Sequence, residues 1–312
     1  MQFLFVMDPA KRMLPDKDTS FALMRGAQAR GHQCLHCLPQ QLSHVGREVD
    51  ARARPITVSD SSPHVALGDE IRVSVAALDA TFIRKDPPFD VAYLHLTQQL
   101  DLVKDRTFVI NDPRGLRDAN EKLFAFHFSE LMPKTLVSAD TGRIRSFLED
   151  VGGRAVLKPL DGAGGSGVVY LSVADRNTRA LIDLLTNEGQ RAALIQEYLP
   201  AIRSGDKRVL LLNGEPLGAI LRVPREDDVR ANIHVGGRVE PTTLTSDELA
   251  LVEQVGHGLR EHGLWFVGLD LIDGRLIEVN VTSPTGIQEL GRLTAQHPEQ
   301  QVIEWVERRV GD

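Results

Sequence analysis

The stretch Lys158-Pro159-Leu160-Asp161-Gly162-Ala163-Gly164-Gly165-Ser166-Gly167 decides how this chain is built. Gly162, Gly164 and Gly167 stand at G-x-G-x-x-G spacing, which serves two different structures. A dinucleotide-binding turn needs a strand before the glycines and a helix after them. Ala155-Val156-Leu157-Lys158 supplies the strand, but Val168-Val169-Tyr170-Leu171 follows, a β-branched and aromatic run that predicts a second strand. The ribose-binding acid is missing too, because Asp183 falls inside a helical pattern. The glycines therefore sit at the tip of a hairpin, where positive φ and close backbone approach are permitted. Successive N–H groups there can cradle phosphate oxygens. Lys158, just before the loop, favours a phosphate-covering flap over a plain flexible hairpin.

Outward from the loop, the 312 residues suggest two or three structural units. A hydrophobic fraction of 42% with 25% charged residues suits a globular protein with a sizeable core. The net charge of −7 argues against general nucleic-acid binding. No apolar run reaches the ~18–20 residues of a membrane span. The start, Met1-Gln2-Phe3-Leu4-Phe5-Val6-Met7-Asp8, lacks a signal-peptide pattern and reads as a buried strand, so a cytoplasmic location is expected. The two cysteines, Cys34 and Cys37, form Cys-x-x-Cys, a spacing that suggests zinc or redox chemistry. On a strand, however, residues three apart point to opposite faces, and no further ligands lie nearby.

Alternating strands and helices in the first third predict a small open α/β sheet. Strands are expected at 3–7, 81–84 and 107–111, and a helix over 19–30 with Gly31 as its stop. Residues 44–69 resist assignment. A helix is expected over 120–131 with Asn120 as N-cap, and another over 177–187. Asn213-Gly214 predicts a hairpin over 206–221. Thr245-Ser246-Asp247-Glu248 is a capping box for a helix running to about His262.

A second constellation lies in Gly268-Leu269-Asp270-Leu271-Ile272-Asp273-Gly274-Arg275-Leu276-Ile277-Glu278-Val279-Asn280, which reads as a hairpin. Glu278 and Asn280 share a strand face. Asp270 joins them if the turn has three residues, Ile272 to Gly274, which would bury Leu269, Leu271, Ile277, Val279 and Val281 opposite. Three oxygen donors on one face suit a hard cation such as Mg²⁺, the alternative being a solvated polar face.

With these features in place, the chain resembles the bacterial glutathione synthetases of the ATP-grasp superfamily. The resemblance rests on Val6-Met7-Asp8-Pro9, Lys17-Asp18-Thr19-Ser20, Arg84-Lys85-Asp86-Pro87-Pro88-Phe89-Asp90, Asn120-Glu121-Lys122-Leu123-Phe124, Gly205-Asp206-Lys207-Arg208, Phe266-Val267-Gly268-Leu269-Asp270 and Glu278-Val279-Asn280-Val281-Thr282-Ser283-Pro284-Thr285, in family order. It implies an α/β (α+β) ATP-grasp fold: a pre-ATP-grasp domain over 1–119, a lid with the flap over 120–200, and a C-terminal part with the metal site over 201–312. It implies ATP-dependent joining of γ-glutamylcysteine to glycine through an acyl phosphate, with Mg²⁺ or Mn²⁺, in a homo-oligomer without nucleic-acid or membrane partners.

By position, ATP would be held by Lys122, Lys158, Gly162, Gly164, Gly165, Ser166, Gly167, Asp206 and the hinge Glu197-Tyr198-Leu199. The metal would be held by Asp270, Glu278 and Asn280. The dipeptide side would take Asp8, Lys17, Ser20, Arg84, Asn280, Ser283 and Thr285. Arg208, Arg222 and Arg238 form the expected catalytic set. One of Arg208 and Arg222 is expected to hold the acyl phosphate, unless both are ordinary exposed strand arginines. The run from Arg230 to Arg238 departs from the family's glycine-rich pattern, and His234 there reads as a solvated loop residue. Another ATP-grasp ligase, or a non-catalytic ATP-binding protein of the same fold, is the competing reading.

Overall fold

Alternation of apolar runs and capped helices builds three sheets in succession. A computed structural model of the chain describes residues 1–225 and 236–311. Most of the departing loop, His234 included, lies outside the described residues.

The first sheet gathers β1 (Gln2–Met7), β2 (Gln33–Cys37), β3 (Leu42–Val45), β4 (Glu48–Val58), β5 (Val65–Leu67), β6 (Ile71–Ser74), β7 (Ala80–Arg84) and β8 (Phe108–Ile110). Their order is β3-β4-β2-β1-β7-β8, with β5 and β6 also on β4. The parallel centre, β2-β1-β7-β8, is buried on both faces, so its strands read as continuous apolar runs. Helix α1 (Thr19–Ala29) starts at Asp18, whose carboxylate accepts from the Ser20 and Phe21 amides. Helices α2 (Val91–Asp101) and α3 (Pro113–Asp118) complete this part. The sheet is larger than the expected one, because residues 44–69 form antiparallel strands around β4.

Cys34 and Cys37 lie on β2, in separate apolar clusters on opposite faces of the sheet. Both are buried free thiols, and burial pushes each up to about 12.

The segment after α3 differs from the expected helix. Asn120 does cap it, its Oδ1 accepting from the Lys122 and Leu123 amides. But residues Phe124–Leu131 form a 3₁₀ helix kinked at Phe128 rather than a regular α-helix. Phe124, Ala125 and Phe128 are buried against the C-terminal sheet, and this packing overrides helical periodicity.

The second sheet has the order β11-β10-β12-β9 and is antiparallel throughout. Its strands are β9 (Thr135–Ser138), β10 (Arg154–Pro159), β11 (Val169–Ser172) and β12 (Ala193–Glu197), covered by α4 (Thr141–Asp150) and α5 (Thr178–Leu185). This lid has its own core of Ile144, Leu148, Leu157, Leu171, Ile182 and Ile195.

The third sheet has the order β15-β14-β13-β16-β17. It comprises β13 (Asp206–Leu212), β14 (Glu215–Val223), β15 (Arg238–Pro241), β16 (Phe266–Ile272) and β17 (Arg275–Asn280). Asn213 and Gly214, at φ 53° and 76°, make the predicted hairpin turn. Helix α6 (Ser246–Glu261) carries the predicted capping box, and α7 (Ile287–Thr294) and α8 (Pro298–Gly311) close the chain.

Candidate active site

The glycine loop joins β10 to β11 and folds over a cleft between the lid and the third sheet. Gly164, Gly165 and Gly167 have φ of 61°, 83° and 71°, so glycine is needed for the shape. Gly162, Gly164, Gly165 and Ser166 line the cleft, whose cavity volume is about 100 Å³. Gly167 does not line it. A Cβ there would come within 2.9 Å of Pro159 Cγ, so Gly167 lets the flap close on its own base.

Lys122, Lys158, Asp206, Asp270 and Glu278 also line this cleft, with Glu197, Tyr198 and Leu199 along one edge. The Glu197 and Tyr198 amides already donate within the lid, to Lys134 O at 2.9 Å and Arg154 O at 3.3 Å. Lys122 Nζ lies 3.1 Å from Glu278 Oε1 and donates to the Gly162 carbonyl at 2.5 Å. Lys158 donates to Gln196 Oε1 at 3.0 Å, and burial lowers its affinity for a proton.

The hairpin expected to hold the metal turns differently from expectation. Asp273 and Gly274, at φ 50° and 68°, make a two-residue turn, since Ile272 pairs with Arg275. A bulge restores the face: Leu271 pairs with Leu276 but Asp270 with Glu278, so Ile277 is the extra residue. Leu276 is therefore the buried residue, and Ile277 lines this first cleft instead of the core. Asp270, Glu278 and Asn280 still share one face. Asn280 Nδ2 donates to Gly268 O at 3.2 Å and Asp270 Oδ2 at 3.3 Å, which turns its amide oxygen away from them. Two carboxylates and an amide oxygen fit a hard, oxygen-seeking cation.

Arg208 and Arg222 are buried, not exposed strand residues. Arg208 grips Asp270 through Nε at 2.6 Å and its second nitrogen at 3.0 Å. Arg222 bridges Asp206 at 2.5 Å and Asp270 at 2.9 Å. Burial works to raise the Asp270 carboxyl, but the two guanidinium groups overcome it and hold Asp270 well below the usual carboxylate range. Arg238 is not part of this group. It lies exposed on edge strand β15, bonded to Glu240, and lines neither cleft.

A second cleft of about 560 Å³ opens beside the first. Asp8, Lys17, Ser20, Arg84, Asn280, Ser283 and Thr285 all line it, as do Arg208 and Arg222. Arg84 is fixed by Ser20 Oγ at 3.1 Å and Pro284 O at 3.0 Å. Asp8 Oδ2 accepts from the Asp86 amide at 3.0 Å, and its Oδ1 faces Lys85 Nζ at 3.4 Å. Ala163, Gly164 and Glu278 line both clefts, so the two meet beneath the flap.

Sequence reasoning missed Arg12, Glu121 and Gln196. Arg12 and Glu121 line the second cleft and Gln196 the first. One Glu121 oxygen accepts from the Val281 and Thr282 amides at 3.2 and 3.3 Å and from Thr282 Oγ1 at 2.7 Å. Burial, and then the nearby Glu278, raise its carboxyl. Its place inside Asn120-Glu121-Lys122 was the available signal.

A glycine flap closing a cleft between two antiparallel sheets, with lysines and an oxygen-donor hairpin inside, defines an ATP-grasp protein. Solved structures share this fold. The D-cycloserine synthetase DcsG matches with a TM-score of 0.68 at 15% identity, covering 99% of each chain. The macrocyclase MdnC from Microcystis aeruginosa, solved with its precursor peptide, matches at 0.66 and 14%, covering 99% of this chain and 100% of that one. The sequence also matches the prokaryotic glutathione synthetase N-terminal domain over 1–117 and the prokaryotic glutathione synthetase ATP-grasp domain over 121–295. Glutathione synthetases of Gloeobacter violaceus and Thermosynechococcus vestitus are 44% and 43% identical, over 98% of this chain and 96% and 99% of theirs. The chain belongs to the prokaryotic glutathione synthetase family.

Proposed function

We propose that this chain joins γ-glutamylcysteine to glycine with ATP, releasing ADP and phosphate. The observation that carries the reading is the meeting of the two clefts at Gly164 and Glu278. A nucleotide in the first cleft has its terminal phosphate at the floor of the second, where a carboxylate substrate lies.

A carboxylate resists attack by an amine until its oxygen carries a good leaving group. The γ-phosphoryl group passes from ATP to the dipeptide's cysteinyl carboxylate, giving an acyl phosphate and ADP. The glycine amine then attacks the carbonyl and phosphate leaves. Such transfer depends mostly on positioning and charge neutralisation. Lys122 and Lys158 hold the phosphates, and the Leu199 amide reads the adenine edge, because its two hinge neighbours already donate elsewhere. Glu278 and Asn280, with Asp270 behind them, would hold a divalent cation, Mg²⁺ or Mn²⁺, whose positive charge would help neutralise the phosphates. Arg208 and Arg222, locked by Asp270 and Asp206, hold the acyl phosphate and the oxyanion. Lys17 and Arg84 attract the dipeptide's carboxylates. The flap keeps water from the acyl phosphate.

The test is ADP release with γ-glutamylcysteine alone, glycine alone and both. Turnover is expected only with both, and Glu278→Ala should lower it by roughly 10² or more, as for loss of a group that stabilises transition-state charge. Turnover indifferent to glycine would overturn the acceptor, and turnover with neither substrate would overturn the reading.

A further inference from the structure

The antiparallel lid sheet lays three polar side chains across one face. Thr135 on β9 stands opposite Gln196 on β12, and Gln196 stands opposite Val156 on β10. Lys158 is two residues beyond Val156, so it shares that face. Thr135 Oγ1 donates to Pro133 O at 2.8 Å, so it can only accept from Gln196 Nε2, at 2.9 Å. This fixes the amide: Oε1 must face Lys158, which donates to it at 3.0 Å. Gln196 itself is buried and lines the nucleotide cleft.

The two cleft lysines differ in what faces them. Lys122 is paired with the carboxylate of Glu278. Lys158 is held by a neutral amide, which directs its ammonium without cancelling its charge. We propose that Gln196, with its orientation locked by Thr135, is a positioning residue that aims Lys158 and leaves its ammonium without a carboxylate hydrogen-bond partner, available to nucleotide phosphate. The inference rests on the reading of Lys158 as a phosphate ligand. A carboxylate at 196 would keep the geometry and spoil the function, by giving Lys158 a permanent counter-ion.

The experiment measures ADP affinity by calorimetry, and KM for ATP and for γ-glutamylcysteine, in the full chain. Gln196→Glu should weaken ADP by about tenfold or more, the worth of one charge-assisted bond. KM for ATP should rise in step while KM for γ-glutamylcysteine stays put. Gln196→Met, which removes both hydrogen bonds but adds no charge, should weaken ADP less. The opposite order of the two variants is what a packing role predicts, and it would overturn the proposal, as would unchanged affinity in both. Should Gln196→Glu not fold, Thr135→Val decides. Freeing the amide should weaken ADP by roughly two- to threefold, less than one full hydrogen bond, and no change overturns the proposal. Lys158→Ala separates the two levels. If it leaves ADP affinity intact, the nucleotide-site reading fails; if it weakens ADP while Gln196→Glu does not, only the role of Gln196 falls.

Discussion

Cys34 and Cys37 show how strand geometry overrules a motif. Their spacing suggests a metal or redox pair, yet the two thiols sit on opposite faces of β2 and burial holds both protonated up to about 12. Native protein at pH 8 should therefore show almost no thiol reactive with Ellman's reagent, and two after denaturation. Rapid labelling of either one in the native state would refute the assignment. The sign of the linkage also follows. A folded value raised from about 9 to about 12 gives stability that is full below pH 9 and declines as pH climbs from there towards 12. At this level the sequence was uneven. Glu278, Asn280 and Lys158 were legible, because polar groups at the ends of apolar strands have few other uses, and Lys122 through the Asn120-Glu121-Lys122 run. Gln196 and Glu121 were not, because their meaning lies in neighbours: Thr135 across a sheet, and Thr282, 161 residues away. Arg238, expected in the catalytic set, lies outside both clefts.

Elements were legible where one local rule decides them. The Asn213-Gly214 hairpin, the Thr245 capping box and the strand after the glycine loop each follow from turn or cap chemistry. The strands over 42–74 were not, because half of their residues are exposed and Pro55 interrupts the pattern. The metal hairpin was half legible: the shared face was right, but a bulge at Ile277 rather than a longer turn produces it. Bulges leave no reliable mark in composition. Helix α6 has a feature that only packing explains. A Cβ at Gly256 would lie 2.2 Å from the Gly214 carbonyl oxygen, so the helix rests directly on the hairpin turn. Gly256→Ala gains about 1 kcal/mol of helix propensity but forces a clash that typically costs ~1–3 kcal/mol. Urea denaturation should show a net loss of about 1 kcal/mol, and a stabilised variant would contradict the close approach. Gly311→Ala, with nothing within 4 Å, is the matched control and should be neutral.

At the level of the molecule, the three sheets are not equally independent. The lid has a core of its own, whereas the first and third sheets share two apolar clusters, one holding Leu4 and Val267 and the other Phe3 and Phe266. A polar contact sits in the same seam. Asn111 Nδ2 donates to Phe266 O at 2.9 Å and Val281 O at 2.8 Å, while its Oδ1 accepts from the Phe266 amide at 2.7 Å. One buried amide thus satisfies three backbone groups of the third sheet from the end of the first. Asn111→Leu keeps the volume and strands all three. At ~1–3 kcal/mol for each unsatisfied group, the loss should be on the order of 3 kcal/mol or more. Because the two sheets share their cores, that loss should appear as one lowered transition in urea with unchanged slope, not as separate melting of the first sheet. Val281 precedes Thr282 and Ser283 in the wall of the second cleft, so KM for γ-glutamylcysteine should rise in the same variant. KM for ATP should change little, because the nucleotide cleft is walled by the lid and by β16–β17 side chains on the far side of the seam. Equal weakening of both substrates would mean that Asn111 supports the third sheet as a whole rather than the substrate wall.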